Sequence, residues 1–117
     1  MELKVVVEGN SHTINLADDI MTLAADYFDM MDKDMDKGYQ MSQYWVEKPD
    51  TFQRCQIAAD KLLTALETQN ENTAQLMAAY ILARMPTTKV VSLSQSGDMN
   101  THDIDDQDMD GFDMSLF

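Results

Sequence analysis

The spacing of hydrophobic positions changes in kind as this 117-residue chain is read from its start. Residues 3–7 (Leu3-Lys4-Val5-Val6-Val7) are β-rich, and in residues 12–16 Ile14 and Leu16 share one face of an extended segment. Glu8-Gly9-Asn10-Ser11 between them is turn chemistry, so the pair predicts a β-hairpin. From Ala17 the spacing becomes helical, with Asp18 or Asp19 as the cap. On a helical wheel Ile20, Leu23, Ala24, Tyr27, Met30 and Met31 gather on one side, the expected core face. Asp18, Asp26, Asp29, Asp32 and Asp36 gather on the other, the expected solvent face. Gly38 breaks or kinks that helix. Met41, Tyr44, Trp45 and Val46 then predict a further short helix, with Trp45 buried, closed by Glu47-Lys48-Pro49 because the residue before proline disfavours the α region.

Asp50 or Thr51 begins the next helix, in which Phe52, Cys55, Ala59, Leu62 and Leu66 recur at spacings of three and four. Ala58 and Leu63 widen that stripe. Residues 69–72 connect it to a fourth helix, Thr73 to Met85, with Leu76, Ala79, Tyr80 and Ala83 inward and Pro86 as its stop. Lys89 to Ser94 predicts a third strand. A lone hairpin is marginal in water, so the last strand is expected to join it, with three to four helices packed on one face. The expected fold is α+β, in the order β-β-α-α-α-α-β, on a small antiparallel-type sheet. The expected body is residues 1–97, followed by a disordered acidic tail over 98–117.

Charge adds the tail to this picture. The chain carries 8 basic and 21 acidic residues, a net −13. Residues 1–50 contribute −7, residues 51–97 contribute +1, and the final 20 residues hold seven aspartates and no base. So few bases among so many carboxylates exclude the basic face that direct nucleic-acid binding needs. One cysteine excludes a disulfide framework and a Cys-based zinc cluster. No apolar run of signal-peptide or membrane-spanning length is present, and together with the single thiol this predicts a cytoplasmic protein.

Candidate chemistry is sparse. Asp106, Asp108, Asp110 and Gly111 match the first half of a calcium loop, but the twelfth position is Phe117 where a bidentate Glu is required. Asp32, Asp34 and Asp36 alternate likewise, with Lys37 at the glycine position. Met99 with His102 gives too few ligands for a soft metal. Cys55 lies in an apolar stripe, and neither His12 nor His102 can be set beside it with an orienting group. The expectation is therefore no metal, no cofactor and no catalytic constellation.

The end of the chain is more specific. Asp113-Met114-Ser115-Leu116-Phe117 resembles the short peptides by which bacterial replication and repair proteins bind the sliding clamp. Met114, Ser115, Leu116 and Phe117 match, and Asp113 stands where that pattern has Gln. The resemblance implies a clamp-binding accessory protein with a Leu-Phe anchor. A second alternative is a DNA mimic, whose row of carboxylates at Asp18, Asp26, Asp29, Asp32 and Asp36 would occupy the basic groove of a nucleic-acid-binding protein. The leading expectation is an adaptor or regulatory protein that acts by binding another protein.

Overall fold

The computed structural model describes residues 1–105. Its fold is α+β: an N-terminal hairpin, four helices and C-terminal strands that complete a mixed sheet. Strands β1 (Glu2–Val7) and β2 (Asn10–Asn15) pair antiparallel without interruption, from Glu2 opposite Asn15 to Val7 opposite Asn10. Glu8 and Gly9, both at positive φ, make the turn. Alternation places Leu3, Val5 and Val7 in the core and leaves Glu2 and Lys4 outside.

The expected single helix after the hairpin is divided. Helix α1 spans Ile20–Leu23 and α2 spans Ala25–Met35, with Ala24 between them outside helical geometry. Gly38, at φ +98, closes α2, and a Cβ there would collide with the Trp45 ring lying over it.

The helix expected around Met41 to Val46 is instead a small hairpin. Strand β3 (Tyr39–Met41) pairs antiparallel with β4 (Tyr44–Val46) around a turn that holds Ser42 at positive φ. Trp45 is 59% exposed rather than buried: its strand belongs to a two-stranded ribbon outside the main sheet, and its ring lies over Gly38.

Helix α3 (Thr51–Glu67) starts with a full capping box between Asp50 and Gln53. Helix α4 (Glu71–Arg84) is capped by the Asn70 side chain. The two fold back on one another and bury Cys55, Ala59, Leu62, Ala78, Ala79 and Tyr80. Small alanines on both facing stripes permit this close approach. Leu62, expected in the core, is fully enclosed there.

Strand β5 (Val90–Leu93) joins β1 in parallel, not antiparallel, because the helices between β2 and β5 form a long crossover. The folded body also continues past Gly97. A 3₁₀ turn at Met99–Thr101 leads into β6 (Asp103–Asp105), antiparallel to β5. Asp98 caps that turn, the Met99 amide donates to Ser42 Oγ at 2.9 Å, and Gln56 Nε2 donates to the carbonyls of Asn100 and His102, both at 3.0 Å. These bonds hold eight residues assigned to the tail by sequence. The sheet order is β2-β1-β5-β6. No helix among the described residues is long and apolar enough to cross a membrane.

Candidate functional site

Helix α2 is rolled relative to its expected orientation. Phe28 and Met35 enter the core, while Tyr27 and Met30, placed in the core face by the wheel, are 40% and 52% exposed. Leu23, on α1, is more exposed still, at 76%. The aspartate side has turned toward the body.

The cause lies on the neighbouring helices. Arg54 on α3 and Arg84 at the end of α4 are both held against the body and need acidic partners there. Asp32 supplies the centre of that arrangement. Its Oδ2 accepts from Arg84 Nε at 2.9 Å, and its Oδ1 accepts from the Tyr80 hydroxyl and from Arg54 Nη1 at 3.4 Å. Asp36 pairs with Arg54, and Asp29 reaches Arg84 at 3.4 Å. The Arg54 guanidinium also donates to the Pro49 and Asp32 carbonyls, and Arg84 lies 5.2 Å from the Tyr80 ring centroid. Tyr80 packs edge-on against Phe28 beneath them.

Ionisation follows this geometry. Burial pushes the Asp32 carboxyl up, but hydrogen bonds from Tyr80, Arg84 and Arg54 outweigh it and hold the group below the ordinary carboxylate value. Burial would lower both guanidinium values, yet their aspartate partners keep both raised. The Tyr80 hydroxyl is pushed upward by burial and by donation to Asp32. Desolvation drives the Cys55 thiol up to about 12, which leaves it protonated and a poor nucleophile. The cluster is an ion-pair network in which Asp29, Asp32 and Asp36 meet both guanidinium groups.

On the opposite flank of α2 lies a small cleft of about 200 Å³. Tyr27, Met30 and Met31 form its α2 wall, Tyr39 of β3 closes one end, and Ile57 and Lys61 of α3 form its far side. Methionine is suited to such a place because its unbranched, polarizable side chain adapts to what it meets. Asp26 and Asp34 stand exposed on the same helix, and among the described residues neither forms an ion pair.

The expected acidic face is therefore split. Asp29, Asp32 and Asp36 serve the two arginines, Asp18 lies 3.7 Å from the N-terminal ammonium, and Asp26 remains exposed. No continuous row of unpaired carboxylates is presented. His102, read as a tail residue, is 2% exposed: its Nδ1 accepts from the Ser94 amide at 3.1 Å and its Nε2 lies 3.1 Å from Asp60. An Nδ1 that accepts leaves the proton on Nε2, facing the carboxylate. This imidazole anchors the 3₁₀ turn. His12 is exposed on β2, far in sequence from the other candidates.

Among the described residues no group of three or more His, Cys, Asp or Glu side chains is arranged to hold a metal ion. The calcium-like stretch Asp106–Gly111 and the clamp-peptide-like Met114, Ser115, Leu116 and Phe117 lie outside the described residues. Sequence reasoning did not identify the cleft, because it placed Tyr27, Met30 and Met31 in the core. Comparison with known proteins finds no family model that matches the chain, and no curated protein or solved structure similar to it.

Proposed function

We propose that this is a small acidic cytoplasmic protein that works by binding another protein, as an adaptor or regulator without catalytic activity, through the Tyr27–Met30 flank of α2. The observation that supports this reading is the exposure of Tyr27 and Met30 on one side of α2, where both line a cleft of about 200 Å³, with Leu23 exposed just before that helix. Tyr27 and Met30 stand at i and i+3 of α2, neighbours on one helix face and the kind of pair that an amphipathic helix can pack against.

Charge selects the partner. The chain is at −13 and Asp34 lines the cleft, so a second copy would bring two like-charged bodies together. A cationic amphipathic helix, with leucine-type anchors on one face and lysine or arginine on the other, complements both the apolar patch and its acidic surroundings.

A synthetic 18-residue leucine/lysine helix is the probe, titrated into the labelled protein and followed by NMR. Shifts at Tyr27, Met30, Met31, Tyr39 and Lys61 are expected, and Tyr27→Ser with Met30→Gln should weaken binding about tenfold or more, as loss of two apolar anchors does. A scrambled peptide of equal charge that binds equally well would reduce the interaction to bulk electrostatics and refute the site.

A further inference from the structure

The two edges of the main sheet are built differently. β6 is three residues long and carries Asp103 and Asp105, a short charged edge of the kind that discourages further pairing. β2, at the other edge, is six residues long, and its register against β1 is unbroken. Its sequence, Asn-Ser-His-Thr-Ile-Asn, has no lysine, proline or acidic residue. It lacks every device that normally blunts an edge: bulge, proline, charge or shortness. Among the described residues, every backbone hydrogen bond recorded for β2 runs to β1, so alternate residues turn their N–H and C=O groups away from the sheet.

Beside this edge runs a groove of about 570 Å³, between β2 and the α3–α4 turn. Ile14, Leu66 and Ala74 give it an apolar floor, and Gln69 and Gln75 supply amides along its rim. Glu71 is the one formally charged group among its lining residues, and no lysine or arginine lines it. The positive end of α4 is already met by the Asn70 side chain, which accepts from the Thr73 amide, and by Glu71 in the first turn. An anion therefore gains little there, whereas a cation meets Glu71 and the field of the whole chain.

We infer that the outer edge of β2 and this groove bind an extended, neutral-to-basic peptide segment of a partner protein, which adds to the sheet as a fifth strand. Its main chain pairs with β2, and alternate aliphatic side chains rest on Ile14, Leu66 and Ala74. A second copy pairing edge to edge is opposed by the −13 charge on each chain. This site is separate from the α2 cleft and shares no lining residue with it.

The probe is the peptide acetyl-Lys-Val-Thr-Val-Thr-Val-Lys-amide, titrated into the full-length protein with amide shifts and hydrogen exchange followed residue by residue. Two N-methylated forms accompany it, one methylated on the valine nitrogens and one on the threonine nitrogens. Expected are shifts at residues 10–15, Leu66 and Ala74, and saturation below about 1 mM. One N-methylated form should bind about tenfold more weakly than the other, since only alternate N–H groups face β2. Glu71→Gln should weaken the unmodified peptide about twofold to fivefold, the range of an exposed ion pair. Absence of binding, shifts confined to other residues, or equal affinity of the two methylated forms would overturn the proposal. So would protection, in the free monomer, of the outward-facing β2 amides that do not bond to β1, which would make residues of this chain the occupant. A concentration-dependent dimer that the peptide dissolves would equally overturn it in favour of a second copy.

Discussion

On one flank of α2, Asp29, Asp32 and Asp36 reach Arg54 and Arg84; on the other, Tyr27 and Met30 border a cleft and stand in solvent. A simple solvation rule would assign these flanks the other way round. The arginines reverse it, because a guanidinium held against the body without a partner costs more than a few half-exposed apolar side chains. Asp32 is the position where that matters most, with its side chain 26% exposed and its carboxylate shared among three donors. Asp29 and Asp36, at 69% and 50%, are exposed partners worth little individually. The apolar flank is thus what the molecule leaves over once its internal charges are satisfied, and this is the surface assigned to binding.

Substitutions can break this comparison at several depths. The largest effect is expected below both flanks, where Leu62→Ala should cost ~2–5 kcal/mol in chemical denaturation, the usual range for an enclosed leucine. Asp32→Ala should come next, at roughly 1–3 kcal/mol, because it leaves the Tyr80 hydroxyl without its acceptor and both guanidinium groups with only their more exposed partners Asp36 and Asp29. An unchanged melting temperature for Asp32→Ala would show that the arginines are satisfied by water and that the roll of α2 has another cause.

Acidity tests the same flank with a smaller effect. The folded-state value of Asp32 is held below its ordinary 3.8, so its contribution is fully present above that value and is lost as pH falls through the depressed one. Wild type should therefore lose stability below about pH 4, and Asp32→Asn, already weaker, should show a shallower fall over the same window. Parallel curves for the two proteins would assign the acid transition to other carboxylates, such as Asp98, whose value is also lowered, first by the Asn100 amide.

The smallest effect belongs to the open flank. Tyr27→Ser with Met30→Gln should change folding stability by less than about 1 kcal/mol, since roughly half of each side chain is solvated already. A loss of several kcal/mol would return that flank to the core.

Much of this architecture is legible in the residues. The three-and-four spacing around Leu62 and Tyr80 marks α3 and α4, and Gly9 with Asn10 marks the hairpin, because long periodic elements and turn residues carry strong local signals. The apolar spacing of Met41, Tyr44, Trp45 and Val46 suggests a short helix. The strand signal was nevertheless present, in aromatic and β-branched residues on both sides of Ser42-Gln43. The roll of α2 depends on residues 54 and 84, which no local window around Asp32 contains. A clue existed: the chain's two arginines both sit on helices with broad apolar stripes and call for acidic partners. His102 and Ile104 lie among aspartates and so resemble tail, although Asp103-Ile104-Asp105 has the alternation of a short strand. The cleft and the β2 groove arise from packing between distant elements and have no local signature.

Methionine oxidation tests the central claim most directly, because α2 carries reporters on both sides. Met30 is 52% exposed and Met35 is 3% exposed, five residues apart on one helix. Brief treatment with hydrogen peroxide, read by mass spectrometry with and without the leucine/lysine helix, compares them within a single molecule. The account predicts rapid oxidation of Met30, slow oxidation of Met35, Met41 and Met77, and protection of Met30 and Met31 when the peptide is bound. Equal oxidation of Met30 and Met35 in the free protein would contradict the orientation of α2, and bound peptide that leaves Met30 as reactive as before would contradict its role.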